Sequence, residues 1–199
     1  MKASPVLVQP RRSPVSKSQV IPPGPTTRPP GENTEYQRDL SVSCNKLGDV
    51  AVTTGKLDDA RNWFERGFAA IKALTAADPS NAQWQGDLST SYLNLGEVAV
   101  SAGKLDEART WFEKALAIRK PLTVASPSNT GWQRDLCTTL ARMAAVAPTP
   151  DEAARYRREA RVIYEQLQRG GFFRADRKFV QLGAELDQAA ARASKPPAR

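Results

Sequence analysis

Two stretches of this chain read almost identically and lie 48 residues apart. The first is AVTTGKLDDARNWFERGFAAI at 51–71, and the second is AVSAGKLDEARTWFEKALAIR at 99–119. Aligned without a gap, residues 36–83 and 84–131 are identical at 27 of 48 positions. A third copy starts with WQRDL at 132–136 and then diverges. Such duplication is typical of solenoids, in which each unit is stabilised by its neighbours.

Each unit is predicted to form two amphipathic helices. In the second unit, apolar residues recur at steps of three and four, first from Trp84 to Ala102 and then from Leu105 to Ala115. A glycine follows the first helix of each unit, where a left-handed backbone costs that residue least. Acidic pairs open the second helix, where they favour the positive end of the helix dipole. The sequence SPSN at 126–129 ends one unit and offers an N-cap to the next.

The two units share an order of small and large residues. In the second unit these are Leu95, Gly96, Ala99, Gly103, Leu105, Ala108, Phe112 and Ala115, and in the first Leu47, Gly48, Ala51, Gly55, Leu57, Ala60, Phe64 and Gly67. The small residues let helices approach closely, and leucine and phenylalanine fill the space between them. This order resembles that of the tetratricopeptide repeat family. The resemblance covers residues 36 to about 168 and implies a right-handed all-α solenoid of helix hairpins that binds other proteins.

Three features depart from that family. The usual unit has 34 residues, and the 14 additional residues here are close to four helical turns, so longer helices keep their buried faces. Similar long units occur in tandem in bacterial proteins, which implies a bacterial cytoplasmic protein. Pro121 lies late in the second helix and is expected to kink or end it. Gly67, where the second unit has Ala115, is interpreted as a weak point.

The C-terminal region is predicted to close the stack. Thr149 to Glu152 read as a capping box with proline at the first helical position, and Gly170 and Gly171 end that helix. The predicted domains are a disordered, proline-rich basic tail at 1–34, repeats at 35–170 (units 36–83, 84–131 and a degenerate 132–170), a capping helix at 171–194 and a disordered end at 195–199. The capping helix carries Phe179, Leu182, Leu186, Ala189 and Ala193 on one face.

Composition argues against catalysis. The chain has no histidine, which removes the commonest general base and metal ligand. Its two cysteines form no CxxC pair and are interpreted as buried and reduced. No apolar run is long enough to span a membrane, and no glycine loop suits a phosphate. We therefore expect no catalytic, metal or cofactor site.

The net charge of +8 belongs to the ends of the chain, because residues 36–131 carry eleven acidic and eleven basic side chains. A nucleic acid is thus a less favoured partner than a protein. Aromatic residues at equivalent places, such as Trp84 and Trp132, are interpreted as core between units rather than as base-stacking platforms.

The first helix of each unit is expected to form the concave face of the solenoid, where a peptide or a helix of a partner could bind. A merely solvated face is the alternative. Further hypotheses are a structural fragment of a longer repeat array, self-association through exposed repeat ends, and nucleic-acid binding through the basic ends. The predicted binding residues are Arg38, Asn45, Asp49, Thr53, Thr90, Leu93, Glu97, Ser101, Arg134 and Thr138, with Val42 and Ala141 beside them.

Overall fold

The computed structural model describes the backbone of residues 30–193 and the side chains of residues 33–189. Most of the predicted tail and the predicted disordered end lie outside these ranges. The described residues contain helices and no strand. The helices are α1 (Pro30–Thr53), α2 (Leu57–Ala77), α3 (Ala82–Ser101), α4 (Leu105–Ala125), α5 (Thr130–Ala145), α6 (Pro150–Arg169) and α7 (Arg177–Ala193).

The helices pack as consecutive hairpins. α1 pairs with α2, α3 with α4, and α5 with α6, while α2 packs on α3 and α4 packs on α5. α7 follows in the place of the next first helix and contacts both α5 and α6. The predicted all-α solenoid is therefore confirmed, and its hairpins follow the sequence duplication.

Local signals set the helix ends. Gly55 and Gly103 both adopt a φ of +74°, the left-handed region, two residues after the last residue of the first helix of their units. The Asn129 side chain accepts a hydrogen bond from the backbone N–H of Trp132, and Asn81 does the same one unit earlier, each at 3.1 Å. Thr149 caps α6 by accepting from the backbone N–H of Glu152 at 3.3 Å. The predicted start and stop residues thus act as expected at each of these ends.

Glycine lets the helices of a hairpin approach closely. A Cβ atom added at Gly48 or Gly96 would lie 2.3 Å from the ring of Phe64 or Phe112, respectively. Both rings are fully buried against the glycine of the facing helix. Gly67, interpreted from sequence as a weak point, is buried in a similar contact, where an added Cβ would lie 3.1 Å from the Ser41 carbonyl oxygen. It is a close-packing position.

Pro121 does not end α4, which continues four residues further to Ala125. Leu105 begins α4 and is 51% exposed, although the apolar pattern predicts it to be buried. Leu47 is 45% exposed, whereas the equivalent Leu95 is only 5% exposed. α1 begins at Pro30, five residues before the predicted start of the folded part at Glu35.

The C-terminal hairpin and α7 share one core. Phe179, Leu182 and Leu186 are 2 to 5% exposed and join the apolar cluster that contains Leu136 and Leu140 of α5. These three residues were predicted to cap the stack, and they do so. Cys44 and Cys137 are both free and buried, as the sequence predicted.

Candidate protein-binding groove

A groove of about 580 Å³ lies along the first helices of the three hairpins and along α7. The side of α1 contributes Val42, Asn45 and Asp49, and α3 contributes residues from Asp87 to Glu97. The central α5 provides Arg134, Thr138 and Arg142, while Arg119 of α4 reaches the groove from behind. The groove thus lies along the helices that the repeat pattern assigned to the concave face.

Seven of the ten predicted binding residues line the groove, and three do not. Arg38 lies beside it and forms an ion pair with the groove residue Asp87 at 2.8 Å. Thr53 and Ser101 lie on the last turns of α1 and α3, and each bonds the carbonyl four residues earlier instead. The seven are Asn45, Asp49, Thr90, Leu93, Glu97, Arg134 and Thr138.

Leu93 was predicted to face outward, yet it is only 9% exposed. It belongs to the apolar cluster of α5, with Leu136, Leu140 and Met143. Only part of its side chain reaches the groove. The equivalent Asn45 of α1 is half-buried, and its Oδ1 atom accepts no hydrogen bond from the described residues. The same repeat position is therefore an apolar core residue in the second unit, Leu93, and a polar groove residue in the first, Asn45.

Ion pairs join neighbouring first helices along the groove. Arg142 of α5 contacts Glu97 of α3 at 2.9 Å and Glu185 of α7 at 3.1 Å. Burial alone would lower the pKa of Arg142, but the charges and hydrogen bonds of both carboxylates together raise it. Lys178 of α7 reaches Asp49 of α1 at 3.8 Å, and both of these side chains are exposed. The groove walls are therefore joined by charge, from α3 through α5 to α7.

Arg119 was not predicted as a groove residue, and it is only 4% exposed. Its guanidinium donates to the Ser89 hydroxyl at 2.9 Å, to the Asp135 carbonyl at 2.7 Å, and to Thr90 and Thr139. No carboxylate among the described residues forms an ion pair with it. Burial lowers its pKa to about 10, and the Asp135 charge offsets part of that effect. The repeat alignment could have identified this residue, since Arg119 is a charged residue at the position of the apolar, buried Ile71 of the first unit.

The groove wall contributed by α7 was also missed. Asp176, Lys178 and Glu185 line it, although the sequence predicted only a capping role for this helix. Asp176 contacts Arg134 at 3.3 Å and, through its other carboxylate oxygen, caps α7 at the backbone N–H of Phe179. The third unit diverges from the repeat, so no alignment of positions could place these side chains on the concave face.

The charges of the groove nearly balance. Its described lining has six carboxylates and five cations, namely Asp49, Asp87, Glu97, Asp135, Asp176 and Glu185 against Lys46, Arg119, Arg134, Arg142 and Lys178. Most of the cations already contact a carboxylate of the same groove. Such a lining suits a ligand with few net charges and many hydrogen-bonding groups, such as a polypeptide.

A family model described as tetratricopeptide repeat matches residues 88–120, which cover most of α3 and α4. Over these residues the chain is similar to the tetratricopeptide repeat family. The matched stretch includes the groove residues Thr90, Leu93 and Glu97, and the close contact between Gly96 and Phe112. The assignment to long, 48-residue bacterial-type tetratricopeptide repeats stays a prediction.

Comparison with solved structures gives matches of low sequence identity and low TM-score, including the following two. A de novo designed helical repeat protein is 16% identical over 83% of this chain and 86% of its own, with a TM-score of 0.43. The MamA protein is 16% identical over 70% of this chain and 96% of its own, with a TM-score of 0.22. A search of curated proteins finds no match to the sequence. Within residues 30–193, no helix is long and apolar enough to cross a membrane.

Proposed function

We propose that this protein is a non-catalytic scaffold that binds a peptide or a helix of a partner protein in the groove. The observation that carries this proposal is the groove itself, which follows the first helices of an array that is similar to tetratricopeptide repeats. Its lining combines polar side chains, which can form hydrogen bonds with the backbone of a bound segment, with apolar side chains. Groups of this kind bind extended or helical segments through hydrogen bonds and shallow pockets. We also propose a cytoplasmic location, which the buried, unbridged cysteines support.

The groove does not favour a nucleic acid. Phosphate backbones are bound by an excess of lysine and arginine, and the lining has one carboxylate more than its cations. An enzymatic role finds no support in the described side chains either, because five of the six groove carboxylates are held by arginine or lysine in ion pairs between helices.

A groove-filling substitution tests the proposal. Thr138 lines the groove, and its hydroxyl bonds the carbonyl of Arg134 at 3.0 Å. Thr110 on α4 makes the same bond to Asp106 at 3.0 Å and is exposed away from the groove. Thr138→Trp should therefore block a bound segment, whereas Thr110→Trp changes a threonine of the same local geometry and leaves the groove open.

The measurement is capture of proteins from the native cytosol on immobilised full-length protein, quantified by mass spectrometry. We expect a protein captured by the unmodified chain and by Thr110→Trp to be lost with Thr138→Trp. A cross-linker placed at Asp49 should then join to that same protein. If the Thr138→Trp protein still captured every protein that the unmodified chain captures, the proposal that the partner binds in the groove would be wrong.

A further inference from the structure

The first hairpin leaves an apolar surface open where the second hairpin has the same surface covered. We call it the N-terminal end face, defined by Leu47 and Val50 of α1 and by Asp59 and Trp63 of α2. Leu47 and Val50 are 45% and 60% exposed. Their equivalents in the next unit, Leu95 and Val98, are each 5% exposed. The sequences agree at both positions, so the difference comes from what packs on them.

The chain shows what covers this surface in its own second unit. Leu95 and Val98 lie in one cluster with Phe64 of α2, and Phe68 and Trp111 pack against that cluster. The rings of Phe68 and Trp111 lie 6.0 Å apart in an edge arrangement. The covering element is thus the second helix of the preceding hairpin.

A ladder of ion pairs accompanies this packing. Arg61, the fifth residue of α2, contacts Glu107, the third residue of α4, at 3.2 Å. Arg109, the fifth residue of α4, contacts Glu152, the third residue of α6, at 3.3 Å. The second helices of the second and third hairpins, α4 and α6, therefore each receive an arginine from the second helix of the preceding hairpin.

The two ends of this ladder differ. Asp59 is the third residue of α2, is exposed, and forms no ion pair with the described residues. At the other end, the fifth residue of α6 is Ala154, which has no charge to offer. α7 also packs on α5 and α6 there. The array is closed at its C-terminal end, and its N-terminal end face has the chemistry of an interior surface.

We propose that the N-terminal end face binds an amphipathic helix of a second protein, built like α2. Such a helix has an arginine at its fifth position for Asp59 and an aromatic residue at its twelfth, as Phe68 is in α2, for Leu47, Val50 and Trp63. Residues 1–29 do not match this description, because seven of them are prolines. This surface is separate from the groove of the proposed function.

The experiment uses the sequence of α2 itself as the probe. A labelled, end-capped peptide of residues 57–77 is titrated into the full-length protein, and binding is followed by fluorescence anisotropy. We expect saturable binding that weakens at least tenfold with Leu47→Glu and with Asp59→Arg. Val124→Glu is the matched control, since Val124 is 80% exposed and lies at the end of α4. That variant should bind the peptide as the unmodified protein does.

A charge swap separates a specific site from a change in folding. The peptide with Arg61→Glu should bind the unmodified protein weakly and should recover its affinity for the Asp59→Arg protein. Each remaining outcome would overturn the proposal. The first is that the peptide shows no saturable binding, and the second is that Glu107→Arg abolishes its binding while Asp59→Arg does not, which would mean that the peptide displaces α2 from α4. The third is that the peptide binds tenfold more tightly after deletion of residues 1–29. The fourth is that this chain forms a dimer which Leu47→Glu dissociates.

Discussion

The contact between Gly96 and Phe112 determines how closely α3 and α4 can pack. Phe112 is fully buried, and its ring lies where a side chain on residue 96 would have to be. Gly86 lies on the same helix, but an added Cβ there would be 3.5 Å from the nearest side-chain atom, Nε1 of Trp132. Two glycines of one helix thus have opposite roles, since one is required by packing and the other is not.

We predict that Gly96→Ala destabilises the protein by about 1 to 3 kcal/mol, because the helices or the ring must move to admit the methyl group. Gly86→Ala should instead be neutral or stabilise by up to about 1 kcal/mol, because alanine loses less backbone entropy in a helix. Urea denaturation of both variants measures the difference. Equal effects of the two substitutions would contradict the role given to Gly96.

The contribution of Cys137 to stability depends on pH because its thiol is buried. Burial raises the pKa of its thiol to about 12 from an ordinary value of 9.0, and a backbone hydrogen bond lowers it in part. The folded state therefore keeps a proton that the unfolded state releases above pH 9. The stability that this thiol contributes is complete below pH 9 and is lost as the pH rises towards 12.

We accordingly predict that Cys137→Ala reduces the loss of stability between pH 8 and pH 10.5. The variant should have the lower free energy of unfolding at pH 8, because the substitution leaves a cavity. The difference in free energy of unfolding between the two proteins should become smaller by about 1 to 2 kcal/mol at pH 10.5. Denaturant titrations of both proteins at the two pH values test this. If the difference in free energy of unfolding were the same at both pH values, the thiol would have the same pKa in the folded and unfolded states.

Among the elements, α4 tolerates an interior proline at a position where the first unit has Ala73. Pro121 is exposed and lies four residues before Ala125, the last residue of the helix. Its ring provides no N–H for the helical hydrogen bond to the carbonyl of Ala117. The helix persists because its buried residues on the other turns, including Phe112 and Arg119, hold it against its neighbours.

Pro121→Ala should therefore stabilise the protein, by as much as about 3 kcal/mol. Pro150→Ala is the control, because a proline at the first helical position lacks only an N–H that no helical carbonyl would accept. It should change stability little or lower it slightly. Thermal unfolding followed by circular dichroism measures both. A destabilised Pro121→Ala protein would mean that the ring makes a contact which alanine cannot replace.

α7 both covers the last hairpin and completes the groove. Truncation after Arg174 removes Phe179, Leu182 and Leu186 from the core, and it removes Asp176 and Glu185 from their arginines. We expect a lower melting temperature, increased binding of a dye that reports exposed apolar surface, and loss of structure in α5 and α6 first. Deletion of residues 1–29 should leave the helical signal of the remaining residues unchanged. The reverse order of effects would refute the predicted domain boundaries.

Much of the fold could be predicted from sequence because it depends on local or repeated signals. Gly103, Asn129 and Thr149 act within a few residues of their positions, so their roles were readable directly. The exposure of Leu47 was not, since no helix within residues 30–193 packs on it as α2 packs on Leu95. The groove residues of α7 were missed for a similar reason, because their contacts with Arg134 and Arg142 join positions about 40 residues apart without a repeat to guide them.

For the whole molecule, the two ends of the array are unequal. The C-terminal hairpin shares its core with α7, whereas the N-terminal hairpin has its outer apolar surface open. In a solenoid, the stability of a unit is roughly the sum of its own stability and that of its interfaces. Within residues 30–193, the first unit has one such interface, between α2 and α3, and the second has two.

We predict that backbone amides in the second half of α1 exchange hydrogen faster than the equivalent amides of α3. Five of the ten residues compared are identical, and the intrinsic exchange rates of the others follow from their sequence, so the comparison is internal to one protein. Hydrogen exchange measured by mass spectrometry, with peptides that cover residues 44–53 and 92–101, gives the rates. Equal protection of the two segments would show that the missing interface costs little.

The close seating of Phe64 on Gly48 and of Phe112 on Gly96 also bears on how the molecule can bend. A ring that rests on the backbone of the facing helix leaves no side chain between the two that could adjust its conformation. Each of these hairpins should therefore move as a rigid body, and the compliance of the array should be concentrated at the boundaries near Asn81 and Asn129. The groove would then change its width by rotation of whole hairpins about those boundaries, while the helices themselves stay straight.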